Sequence, residues 1–143
     1  MLDLQSKPRM ADIDGSILWI IEEYKHTDWM HTLTRLNAFC FLVNQETEYV
    51  PYIDVVARKS GPYCSNLTDF ISYYESNGWV VSDVRNNGRK RVFRLTDEGV
   101  CKVDELVSDE QVSILSSCLS EWDEKSNLAL MDDLYVEYPE YVI

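Results

Sequence analysis

The chain has 143 residues, 45% of them hydrophobic, and its 13 basic and 25 acidic side chains leave a net charge of −12. That length suits one domain able to bury a two-layer core without disulfide or metal staples. No apolar run approaches the ~18 residues of a membrane span, and the opening MLDLQSKPRMADID lacks the apolar centre of a secretory signal, so a soluble cytoplasmic protein is expected.

The charge is uneven. Residues 1–94 carry 11 basic and 12 acidic side chains, whereas residues 95–143 carry 2 and 13, so any contact with nucleic acid is expected in the first part. Asp at 13 outnumbers Glu at 12, and Lys is scarce at 6, a balance resembling that of proteins from salt-loving organisms. Cys40, Cys64, Cys101 and Cys118 form no C-x-x-C pair and have only His26 and His31 for company, so free thiols are expected, with no metal, cofactor or disulfide framework.

In chain order, Ile13, Ile17, Ile20, Ile21 and Tyr24 recur at helical spacing and predict a first helix, with Asp12 or Asp14 at its start. Leu33, Leu36, Cys40 and Val43, widened by Phe39 and Leu42, predict a second, deeply buried one over 32–45. A short strand about Tyr52–Val56 follows, kept to an edge by Pro51, before a turn at Gly61-Pro62. Leu67, Phe70, Ile71 and Tyr74 stand at i, i+3, i+4 and i+7 and predict a third helix, ended by Asn77-Gly78.

Two β-rich runs then flank Asn87-Gly88, which supplies the positive φ values of a tight hairpin. With that loop, Val80 pairs with Leu95, Ser82 with Phe93 and Val84 with Arg91, predicting an apolar root face of Val80, Val84, Phe93 and Leu95. Thr96 caps a helix through Val100, Val103 and Val107. Ser108 to Gln111 spells a capping box before a stripe of Val112, Leu115, Leu119 and Trp122, and Ser126 or Asn127 opens a last helix carrying Leu128, Met131, Leu134, Tyr135 and Tyr138 up to Pro139.

A helix followed directly by a hairpin is the winged-helix order, so the expected fold is α+β and predominantly helical: a winged helix-turn-helix with a β-hairpin wing and additional C-terminal helices. It forms a single domain, with a core of about 12–107 and a helical extension over 108–143. The runs TRLNAFCFLVNQE, GPYCSNLTDFISYYESNGWV and FRLTDEG, with YPEY near the end, resemble the YwgA-like winged-helix proteins of archaea and bacteria and, more distantly, Panacea-type antitoxin domains. The resemblance covers roughly residues 32–141. Cys64 departs from the family's Ser at the helix start, so the resemblance implies a cap from Ser65 or Asn66 for the third helix, and Asn37-Ala38 departs from its usual Gln-Lys. It implies gene regulation, an antitoxin-like role or defence-associated work.

The expected function is therefore a DNA-binding transcriptional regulator of double-stranded DNA. Arg85, Asn87, Arg89, Lys90, Arg91 and Arg94 of the wing would make backbone contacts, and Asn66, Thr68, Ser72 and Tyr73 of the third helix would read bases. Against base reading, the outward positions of that helix hold no Lys or Arg, and Asp69 and Glu75 would face phosphates. The alternative is a protein-interaction module, antitoxin-like or a defence-complex adaptor, whose acidic C-terminal half meets a basic partner. Val112, Leu115, Leu119 and Trp122 are the candidate homodimer or partner stripe, set against burial in the chain's own core. No catalytic constellation stands out: His31 and Cys40 fall on roughly opposite sides of a helix, and paired acids serve as caps or solvated faces.

Overall fold

The computed structural model describes residues 14–24, 32–59, 61–85 and 90–143, without the side chains of Arg85, Lys90 and Asn127. Within them the chain is α+β and mostly helical, with two small antiparallel sheets.

Helix α1 (Ser16–Glu23) begins where the Ser16 N–H finds the Asp14 carboxylate at 2.9 Å; Asp12 and Ile13 lie outside the described residues. Its burial is wider than one stripe. Ser16 through Ile21 are all buried, Leu18 and Trp19 included, because α2, α4 and β4 pack around it. Helix α2 (Leu33–Glu46) is capped by the Thr32 hydroxyl, which accepts the Arg35 N–H at 3.3 Å, and every residue from Arg35 to Val43 is buried. An all-round buried helix must satisfy its polar side chains internally. Asn37 does so by donating Nδ2 to the Pro62 carbonyl at 3.0 Å and accepting the Cys64 N–H at 2.7 Å. Arg35, 1% exposed, donates to the carbonyls of Asp123 and Lys125 at 2.6 and 2.7 Å and lies 4.9 Å from the Phe39 ring centre.

The region after α2 corrects the sequence reading. The strand expected about Tyr52–Val56 is β1 (Val55–Arg58), and Gly61-Pro62, expected as a turn, opens its antiparallel partner β2 (Gly61–Cys64), with Val55 opposite Cys64 and Arg58 opposite Gly61. Pro62 withholds a donor from this ladder, but its carbonyl takes the Asn37 amide, so the proline is accommodated beside α2. Before β1, Val50 adopts a left-handed φ of 56°, a strained geometry for a β-branched residue. It is held from both ends: its N–H donates to Asp14 at 2.9 Å and its carbonyl accepts from Asn44 at 3.0 Å.

Helix α3 (Leu67–Ser76) buries Leu67, Phe70, Ile71 and Tyr74, as their spacing requires. Asn66 stands at its N-cap, yet the side chain is turned away, accepting the Asp54 N–H and donating to the Tyr52 carbonyl, both at 2.9 Å. Gly78, at φ 78°, ends the helix, and Trp79 N–H returns to the Tyr74 carbonyl at 3.0 Å. Strands β3 (Val80–Arg85) and β4 (Lys90–Leu95) pair in the expected register, Val80 with Leu95, Ser82 with Phe93 and Val84 with Arg91. The loop residues 86–89 lie outside the described residues.

Helix α4 (Asp97–Leu106) is capped by Thr96, α5 (Asp109–Asp123) by Ser108 and α6 (Asn127–Glu137) by Ser126, each through its hydroxyl. The reciprocal half of the expected capping box is absent, because Gln111 is drawn inward to the Asp14 carbonyl and Ser16 hydroxyl, both at 2.9 Å. On α6 the buried residues are Leu130 and Leu134, both 0% exposed, whereas Leu128, placed on the stripe by sequence, is 74% exposed. A 3-10 turn (Pro139–Tyr141) follows, and Tyr138 and Tyr141 set their rings edge-on to Phe41, 4.8 and 5.1 Å away. Tyr138 also donates to Glu46 and Tyr135 to the Lys59 carbonyl, so these tyrosines hold the C-terminal segment against α2 and the β1–β2 turn. One core cluster takes in residues from α1 to α6.

Candidate nucleic-acid interface

The candidate surface is built by α3 and the β3–β4 ribbon. Alternation along a strand puts Val80, Ser82 and Val84 on one face with Arg91, Phe93 and Leu95, and Val81, Asp83 and Arg85 on the other with Lys90, Val92 and Arg94. Burial runs along the first face as a gradient: Val80 is 1% exposed and Phe93 2%, but Val84 is 64% exposed. The apolar root face therefore stops short of Val84, since beyond Phe93 the ribbon has left the core. The last described pair, Arg85 with Lys90, and the pair before it, Val84 with Arg91, bring three cations to this protruding end.

Both arginines whose side chains are described meet carboxylates. Arg91 lies 3.2 Å from Glu75 of α3, and its guanidinium sits 5.0 Å from the Phe93 ring centre. The Ser82 hydroxyl also donates to Glu75 at 3.2 Å, which ties the ribbon's inner face to the last turn of α3. On the outer face Arg94 lies 3.5 Å from Asp83. Arg91 and Arg94 keep 52% and 61% of their side-chain surface exposed. Such solvated pairs are worth between nothing and about 1 kcal/mol, so another anion can replace the carboxylate.

On α3 itself Thr68, Asp69, Ser72 and Ser76 face solvent without any Lys or Arg. Asn66 and Tyr73, expected to read bases, are spent elsewhere: Asn66 on the 52–54 backbone, and Tyr73 half-buried with its ring 6.1 Å from that of Trp79. Asn87 and Arg89 lie outside the described residues, as do the side chains of Arg85 and Lys90.

No protein-family model matches the chain, and no curated protein matches it. Other expected sites resolve differently. Leu115 and Leu119 are 0% exposed and Trp122 is 6% exposed, so the stripe held for a partner is filled by this chain's own core, with Val112 half-buried beside it. Cys40 is fully buried and its thiol is pushed well above the ordinary range by burial, the reverse of an activated nucleophile; His31 lies outside the described residues. Burial likewise lifts Cys64 and Cys118, each to about 12.

Asp83 and Ser82 were not singled out from the sequence, and Glu75 was read only as an outward carboxylate facing phosphates, not as the partner of Arg91. The signal was available for Glu75: it occupies the last turn of α3, and the predicted hairpin register already put Arg91 on the ribbon face next to that helix.

Proposed function

We propose that the chain is a winged-helix DNA-binding regulator that grips duplex DNA through the end of its β3–β4 ribbon, with α3 contributing little base reading. The protruding ribbon carries the reading: Val84 is 64% exposed, and Arg85, Lys90 and Arg91 cluster at the same end. Cations so placed gain from counterion release at phosphates. The winged arrangement is supported by an isolated antiparallel bridge between Thr32, which lies between α1 and α2, and Val92 of β4, a single-residue contact of that connection with the wing. The motif resemblance to YwgA-like proteins agrees with this order. Replacing Arg89, Lys90 and Arg91 together by Ala and following duplex binding by fluorescence anisotropy tests the reading; unchanged affinity contradicts it. Because such contacts fade steeply with salt, a high-salt host would need cation uptake or apolar contacts to compensate.

A second reading, a module that binds a basic protein, is favoured by the outward face of α6. There Leu128 and Val136, 74% and 78% exposed, flank an exposed Asp132, and the exposed Glu137 and Glu140 follow at the helix end and in the 3-10 turn.

A further inference from the structure

Arg91 and Arg94 stand on opposite faces of the ribbon, because they are three residues apart on one strand. Each is met on its own face by a carboxylate, Glu75 at 3.2 Å and Asp83 at 3.5 Å. We propose that the ribbon is a two-sided reader of duplex DNA, in which Arg91 and Arg94 take phosphates from the two walls of one groove and Glu75 and Asp83 are the anions those phosphates displace. This rests on the DNA-binding reading and names the geometry of its ligand. A single strand offers one phosphate row and satisfies one face; a groove has two walls, one from each strand.

The carboxylates set selectivity. An isolated anion gains little by replacing a carboxylate already in ion-pair contact, whereas a duplex adds the release of its condensed counterions to both exchanges. Glu75 and Asp83, once displaced, recruit cations from solution, so they also flatten the salt dependence of binding.

The test is anisotropy of a labelled short mixed-sequence duplex, and of one of its strands alone, against wild type, Arg91→Ala, Arg94→Ala and the isosteric double variant Glu75→Gln/Asp83→Asn, over a series of salt concentrations. Each arginine variant is expected to weaken duplex binding and to lower its salt slope by less than about one, since cation uptake by the freed carboxylate offsets part of the release, while single-strand binding responds to only one of them. The carboxylate variant is expected to tighten duplex binding about two- to fivefold and to steepen its slope. Near-ultraviolet circular dichroism checks that every variant keeps its fold. Duplex binding that senses one arginine only, or a carboxylate variant with unchanged affinity and slope, overturns the two-sided arrangement while leaving DNA binding by the ribbon in place. Duplex binding indifferent to both arginines overturns the two-sided arrangement and counts against the DNA-binding reading as well.

Discussion

Asn37 in α2 accepts the Cys64 backbone N–H at 2.7 Å, and the same side-chain amide donates to the Pro62 carbonyl at 3.0 Å, so one helix residue pairs with β2 as a neighbouring strand would. Asn37 is 7% exposed, and neither backbone group can turn to water if the amide is removed. Asn37→Ala should destabilise the fold by about 2–4 kcal/mol, the cost of two buried groups losing partners. Urea unfolding measures it; a loss below about 1 kcal/mol would mean that water replaces the amide.

Asp14 accepts three hydrogen bonds, from Ser16 N–H, Tyr52 O–H and Val50 N–H, each at 2.9 Å, and the last of these holds Val50 in its left-handed turn. Asp14→Ala should cost about 3 kcal/mol or more, and Asp14→Asn, which keeps one acceptor oxygen, should recover part of it. Equal losses for the two would show that charge, rather than acceptor geometry, is what matters there.

Gly99 gives a prediction of unusual sign. Alanine in a helix is ordinarily favoured over glycine by about 1 kcal/mol, but a Cβ at Gly99 would stand 2.1 Å from the Trp79 carbonyl oxygen. That oxygen also receives the Thr96 N–H at 2.9 Å, so it cannot withdraw without breaking the junction between ribbon and α4. Gly99→Ala should therefore destabilise by about 1–3 kcal/mol or more, read as a lowered melting temperature with weakened ribbon amide protection. A neutral or stabilising effect would refute the close approach.

Leu115 and Leu119 are wholly buried. Either one changed to Ala should cost about 2–5 kcal/mol in unfolding free energy at every protein concentration. A cost that grows on dilution would instead restore the stripe to a subunit interface.

Alkaline pH should unfold the protein. Burial raises the Cys64 thiol to about 12 and pushes Cys40, Tyr52 and Tyr74 upward as well. These groups hold their protons in the folded state, so their contribution is complete below the unfolded values and is lost as pH climbs from about 9 toward the folded ones. Each group whose unfolded value is passed adds about 1.4 kcal/mol of lost stability per pH unit. Denaturant titrations from about pH 8 to 11 should show this fall, and a flat profile would mean that the thiols and phenols are accessible to water.

The sequence made the periodic and punctuated parts of the chain legible. Asn87-Gly88 fixed the ribbon register to the residue, and Thr96, Ser108 and Ser126 cap the helices they precede. Failures came where tertiary partners compete for a local signal. Gln111 left its capping box for Asp14 and Ser16, and Asn66 left its cap for the 52–54 backbone. Gly61-Pro62 read as a turn because no local pattern announces that Asn37, more than twenty residues earlier, receives the proline carbonyl. On α6 the spacing placed Leu128 on the buried stripe, whereas the packing of this short helix turns Leu130 inward and leaves Leu128 exposed. The ribbon's cations were visible in sequence, and the predicted register put Arg91 on the face next to α3, but that Glu75 and Asp83 lie within 3.2 and 3.5 Å of Arg91 and Arg94 depends on how α3 and β3 pack.

The most direct test of the account is amide chemical-shift mapping of isotope-labelled protein titrated with a short DNA duplex. The account predicts perturbations concentrated at residues 84–94 and the last turn of α3, with α5 and α6 unmoved. Shifts confined to 109–140, or none at low salt, would contradict it and leave the acidic helices as the working surface.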